Sequence, residues 1–222
     1  MKKSLYCLVG ISASMLVACS NTNDAPVNSS ETSAIVCSGS CGQEQFDLAQ
    51  QLHTGDGVEQ NYDAALAAYL KAANLGNVPA MTQAAVLYSE GLTNQGVNKE
   101  AALQWLTMAA KQQDGEAQFL LAEHYWSEQD YGQAEFWYNQ AALNKHKEAA
   151  YLLGLYYFEG TNMEEDPEQA YVWMSIAALL GHSNAPGDRD FLIGEELDMT
   201  QKKAAWAEVA RLIETMGIEV PW

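Results

Sequence analysis

LGLYYFEGTNMEEDPEQAYVWMSIAALLGH, the sequence of residues 153–182, contains two helical patterns joined by a turn. The second pattern ends in a double alanine, and three similar pairs precede it, at residues 72–73, 109–110 and 141–142. Successive pairs are separated by 37, 32 and 36 residues. This period is typical of stacked helix-turn-helix units, each of which buries its apolar face against its neighbours. The sequence therefore predicts an array of four helix pairs.

The second helix of each unit has a shared start and a shared packing face. Residues that commonly cap helices stand eleven positions before the double alanine, at Asn61, Asn98, Asp130 and Asp166. Small residues stand seven positions before it, at Ala65, Ala102, Ala134 and Ala170. Four positions before it come Ala68, Trp105, Trp137 and Trp173. Gln133 and Gln169 follow their caps by three residues, which predicts a capping box in units 3 and 4.

The first helix of each unit also has residue types that recur at fixed repeat positions, which are called columns below. An alanine column opens the helices that follow the double alanines, at Ala80, Ala117, Ala149 and Ala185. A later column holds Tyr88, Tyr125 and Tyr157, which repeat so regularly that we expect them to pack in the core. Glycines that favour a left-handed helix end follow at Gly55, Gly91 and Gly160, whereas unit 3 has Glu128 there.

These columns resemble the Sel-one-like repeat, a relative of the tetratricopeptide repeat. The best matches are residues 55–58, 153–160 and 173–182, and the resemblance covers about residues 43–217. It implies an all-α fold, a right-handed α-solenoid of antiparallel helix pairs with four repeats at 43–182. Residues 183–222 are then a capping region, in which apolar side chains can face inward at Leu197, Ala204, Ala205, Val209, Leu212 and Ile213.

The amino-terminal segment predicts export. Lys2 and Lys3 precede an apolar run at residues 5–17, which is typical of a signal peptide over residues 1–18. The run ends in Leu-Val-Ala-Cys at residues 16–19, which resembles the bacterial lipobox and implies lipidation of Cys19. Residues 19–42 would then form a polar tether, and the location would be the cell envelope, at the outer membrane facing the periplasm. An ordinary secreted protein with a chance cysteine is the alternative.

The net charge restricts the class of partner, and the cysteines allow a local disulfide. The full chain has a net charge of −18, which argues against nucleic acid as a partner. A cationic or mainly apolar partner is easier to accommodate. An acidic surface that serves solubility alone is the alternative. Cys37 and Cys41 remain after export and lipidation, and in an oxidising periplasm they can form a local disulfide.

No catalytic, cofactor or metal motif is recognisable in the chain. His146 and His182 occupy one repeat column, which indicates a structural role. A binding surface would lie where first helices line the concave side, and four residues that depart from the repeat pattern could form a patch that contacts a partner. These residues are His124, Trp126, Tyr156 and Phe158.

Three functions are compatible with these features. The repeat and the lipobox favour a membrane-anchored scaffold that binds proteins. A structural envelope protein that contacts peptidoglycan or exopolysaccharide is the alternative. A β-lactamase-like envelope hydrolase is the third, but the chain lacks the Ser-x-x-Lys arrangement of class A β-lactamases and has no cysteine pairs inside its repeats.

Overall fold

The computed structural model describes residues 41–160 and 162–219. Cys19 and Cys37 lie outside these residues, as does the side chain of Cys41, so the predicted lipidation and disulfide fall outside the described structure. The helices of the described residues are α1 (Cys41–Thr54), α2 (Tyr62–Asn74), α3 (Val78–Glu90), α4 (Lys99–Ala110), α5 (Gly115–Ser127), α6 (Tyr131–Leu143), α7 (Lys147–Glu159), α8 (Pro167–Leu179), α9 (Ala185–Asp188) and α10 (Met199–Met216).

Helices α1 to α8 form four consecutive pairs, and each second helix also packs against the first helix of the next pair. The predicted all-α solenoid with four units and a C-terminal capping helix is confirmed. Within residues 41–160 and 162–219, none of the helices combines the length and apolar character needed to cross a bilayer.

The alanine columns form the seam between neighbouring helices. Ala65, Ala72, Ala109 and Ala141 are all 0% exposed. Small side chains let helix backbones approach closely, and larger apolar groups fill the space between the seams. The core has two clusters, and Tyr125 and Trp137 pack against both of them. The buried surface is therefore continuous along the array.

The predicted caps of the second helices are confirmed. The side chains of Asn61, Asn98, Asp130 and Asp166 each accept a hydrogen bond from the backbone N–H three residues later. The predicted capping boxes in units 3 and 4 are wrong. The backbone N–H of Asp130 donates instead to the carbonyl of Tyr125, at 2.9 Å. This N–H is therefore already satisfied by the preceding helix, and the side chain of Gln133 has no role there.

Residues 183–219 close the last unit. A π-helical turn at Arg189–Ile193 follows α9, and α10 packs against α8. Helix α10 buries a stripe at Ala205, Val209, Leu212 and Met216. The prediction that Ala204 faces inward is wrong, because this residue is one position off the buried stripe and is exposed.

Candidate interaction groove

In units 1 and 3, a cluster of three aromatic rings lies between the two helices of the unit. In unit 3 the Trp126 ring lies 5.0 Å from Tyr131 and 6.3 Å from Tyr138, measured between ring centroids. In unit 1 the His53 ring lies 5.6 Å from Tyr62 and 6.0 Å from Tyr69. Each cluster takes one ring from the end of the first helix. The other two rings come from the first position of the second helix and from a position two turns later.

Unit 2 has different residues at the same three repeat positions. Ser89 occupies the place of His53 and Trp126, which is the last position but one of the helix. Lys99 is the first residue of α4, and Leu106 follows seven residues later. The aromatic cluster of units 1 and 3 is therefore absent from unit 2.

A cavity of about 290 Å³ lies at this place in unit 2. Helices α3, α4 and α5 form its walls. The apolar part of the lining consists of Ala85, Val86, Ala102, Leu103, Leu106 and Leu120. The polar part consists of Ser89, Lys99, Glu123, His124, Ser127 and Glu128. The array thus has an apolar depression with a charged rim, built mainly on two first helices.

The structure brings together two of the four residues predicted to contact a partner, Trp126 and Tyr156. His124 is half-buried and lines the cavity. Trp126 points into the unit 3 cluster, where it also stacks on Tyr156 of unit 4 at a centroid distance of 4.0 Å and an interplanar angle of 14°. Phe158 is half-buried and packs against the core of the C-terminal half.

Buried phenol groups connect neighbouring helices around the unit 3 cluster. The hydroxyl of Tyr138 donates to Glu123, and that of Tyr157 donates to Glu135. Burial, followed by the hydrogen bond to a carboxylate, raises the pKa of both phenols. Both phenols therefore remain protonated and keep donating at neutral pH. The regular Tyr88, Tyr125 and Tyr157 are half-buried against the core clusters, as predicted for packing residues.

The histidine column connects successive units. Nδ1 of His146 accepts from the backbone N–H of Ala149 at 3.2 Å, so the ring caps α7. Because Nδ1 accepts, Nε2 carries the ring proton and donates to Glu116, at 3.0 Å. Phe119 stacks on the ring at 4.4 Å. These contacts confirm a structural role for His146.

His182 repeats part of this arrangement one unit later. It stacks on Tyr151 at 3.9 Å, and its Nε2 lies 3.3 Å from Glu148. Within the part of the chain that the structure describes, no group of three or more His, Cys, Asp or Glu side chains is arranged to hold a metal ion.

Reasoning from the sequence alone identified His124 but missed Ser89, Lys99 and Leu106. The signal for these three was present in the repeat columns. The residues that the units share do not reveal these three, because the cavity arises where unit 2 lacks the aromatic residues of units 1 and 3.

The Sel1 repeat pattern matches four consecutive segments, at residues 45–77, 78–114, 115–146 and 147–182. These segments cover more than half of the chain, which therefore belongs to the Sel1 repeat family. Each segment corresponds to one of the helix pairs described above, although the first segment begins within α1.

Two curated relatives are yeast regulators of chitin synthase. The chain is 30% identical over 141 residues to chitin synthase regulator SKT5 of Saccharomyces cerevisiae, a match that covers 60% of this chain and 20% of the relative. It is 32% identical over 143 residues to chitin synthase regulatory factor 3 of Schizosaccharomyces pombe, covering 60% of this chain and 15% of the relative. The chain thus matches only a fifth or less of either relative.

Two solved structures share the fold. A Sel1 repeat protein from Oxalobacter formigenes superposes with a TM-score of 0.62 at 24% identity, covering 80% of this chain and 74% of that one. A protective antigen of uropathogenic Escherichia coli strains, described as displaying an SLR fold, gives a TM-score of 0.56 at 23% identity and covers 79% and 46%. At these identities the similarity concerns the fold alone.

Proposed function

We propose that this protein is a scaffold that binds a partner protein through the face formed by its first helices. The observation that carries the proposal is the cavity of unit 2, whose apolar lining and charged rim resemble the centre and edge of a protein interface. The extended array supplies further surface on either side of the cavity. No catalytic step is part of this proposal.

Anchoring in the cell envelope is the second part of the proposal. Its support is the sequence of residues 1–19, with two lysines, an apolar run and the lipobox-like segment ending in Cys19. A lipid on Cys19 and the polar residues that follow would hold the array near the surface of the outer membrane facing the periplasm, while leaving the cavity of unit 2 free. Fractionation of wild type and Cys19→Ala tests this part. Recovery of both proteins in the same soluble fraction would contradict it.

Regulation of cell-envelope polysaccharide synthesis is a more specific candidate. The yeast relatives are regulators of chitin synthase, an enzyme that makes a polysaccharide. The partner would then belong to a polysaccharide-synthesising or exporting assembly rather than being the glycan itself. Pull-down with purified peptidoglycan and with secreted polysaccharide separates the two cases. Direct retention by either glycan would favour the structural envelope function instead.

Site-specific photo-crosslinking in the native host tests the scaffold function. A photoreactive residue is placed on the first helices, at Gln51, Val86 or Ser127, and on the outer face of the second helices, at Ala67 or Gln104. We expect one protein partner to be captured from first-helix positions and not from the outer positions. Equal capture from both faces, or no capture from either, would contradict the proposal.

A further inference from the structure

We propose that the cavity of unit 2 receives one aromatic side chain, Trp or Tyr, carried beside a Lys or Arg on a short segment of the partner protein. This inference rests on the proposed scaffold function and specifies the chemistry of the partner at one site.

The equivalent positions in units 1 and 3 indicate which side chain fits. There an aromatic ring from the first helix, His53 or Trp126, lies against two rings from the second helix. In unit 2 the first-helix residue is Ser89, which is too small to reach the second helix. The space that Trp126 fills in unit 3 is therefore left open in unit 2 for a ring supplied from outside.

The size of the cavity agrees with a single side chain. Its volume of about 290 Å³ is just below the range of pockets that hold small molecules, roughly 300–1,000 Å³. The lining is apolar at Ala85, Ala102 and Leu106, which suits a ring face. Interface energy commonly concentrates in one aromatic side chain that fills such a pocket.

The rim determines the charge of the neighbouring partner residue. Glu123 lies on α5 and Glu128 directly follows the last residue of that helix; both line the cavity and are exposed. Lys99 is the one cation in the described lining, and its ammonium group can contact the face of an inserted ring. The two carboxylates, on a chain of net charge −18, favour a Lys or Arg next to that ring.

Filling the cavity from within gives a direct test. Ser89→Trp restores the residue type found in unit 3, and Gln104→Trp places the same side chain on the exposed outer face of α4. Because Ser89 is exposed, the variant should fold, and an unchanged or higher Tm would verify this. The probe is an eight-residue peptide with one Trp between two Lys, compared with peptides in which Leu replaces Trp or Glu replaces Lys.

Backbone amide NMR of the full chain then reports binding. We expect saturable shifts at Ala85, Ala102 and Leu106 with the Trp-Lys peptide in wild type and Gln104→Trp, and a loss of at least about tenfold in affinity in Ser89→Trp. The Leu and Glu peptides should each bind at least about threefold more weakly. Equal binding in Ser89→Trp, or shifts confined to other surfaces, would overturn the proposal.

Two additional measurements distinguish other occupants. Indole alone binding as tightly as the peptide would show a small-molecule site and overturn the proposal. A change in sedimentation between wild type and Ser89→Trp would show that a second copy fills the cavity, which would also overturn the proposal.

The crosslinking experiment separates failure of this inference from failure of the scaffold function. If partner crosslinks persist in Ser89→Trp, the scaffold function stands and this inference fails. If no position captures a partner, the scaffold function itself fails.

Discussion

Gly154 allows α7 and α8 to approach more closely than any larger residue would. A Cβ atom at this position would lie 2.7 Å from Cγ of Met174 and 3.2 Å from its backbone nitrogen. Met174 is 0% exposed, so its side chain can move only at the expense of its packing in the core. Gly154→Ala therefore requires the Met174 side chain or α8 to shift.

The expected magnitude follows from two opposing effects. Overpacking a core by one group costs roughly 1–3 kcal/mol. Replacing a helical glycine by alanine gains up to about 1 kcal/mol from helix propensity. We expect Gly154→Ala to lower the free energy of unfolding by up to about 2 kcal/mol, and to leave the protein at least about 1 kcal/mol less stable than a Gly→Ala change without the overpacking cost. Urea unfolding followed by tryptophan fluorescence measures this change.

Gly132→Ala is the matched control, because Gly132 is exposed near the start of α6 and a Cβ there meets only a carboxylate oxygen at 4.0 Å. It should leave stability unchanged or raise it by up to about 1 kcal/mol. In a Met174→Ala background, Gly154→Ala should become neutral or stabilising, because the vacated space accepts the methyl group. A Gly154→Ala protein as stable as Gly132→Ala would refute the reasoning.

Three other predictions concern the array. Ala109→Leu, which overfills the fully buried seam, should cost at least about 1–3 kcal/mol in urea unfolding, whereas Ala67→Leu on the exposed face should stay within about 0.5 kcal/mol of wild type. Gln113→Gly should raise the free energy of unfolding by about 0.5–1 kcal/mol, because residue 113 has a φ of 64°; an unchanged value would contradict this. The hydrogen bond with His146 lowers the pKa of Glu116 against the opposing effect of burial, so its contribution should be complete above about pH 4.5 and lost as pH falls through the lowered pKa. The stability difference between wild type and Glu116→Gln should therefore shrink on acidification, and a constant difference from pH 7 to pH 3 would contradict the assignment.

Local signals in the sequence predict much of the fold. The caps at Asn61 and Asp166 follow from residue type and position, because the first turn of any helix needs acceptors for its free N–H groups. The glycine at the end of α3 likewise adopts the predicted left-handed conformation, with a φ of 67° at Gly91. In each case the determining interaction lies within a few residues of the chain.

Contacts between helices were harder to predict. The missing capping box at Asp130 depends on a carbonyl of the preceding helix, and the exposure of Ala204 depends on how α10 rotates against α8. The same limit applies to the candidate site. The sequence predicted His124 and Trp126 as parts of one contact patch. In the structure, α5 places His124 at the cavity and Trp126 in the unit 3 ring cluster.

Photo-crosslinking from Val86 in the native host, with and without Ser89→Trp, tests the central claim most directly. Val86 lies in the wall of the cavity, so it reports on a bound segment without replacing Ser89. We predict one partner adduct in the wild-type background, a crosslinked peptide that contains Trp or Tyr beside Lys or Arg, and loss of the adduct in Ser89→Trp. An adduct that persists unchanged in Ser89→Trp, or that forms equally from Gln104 on the outer face, would contradict the claim.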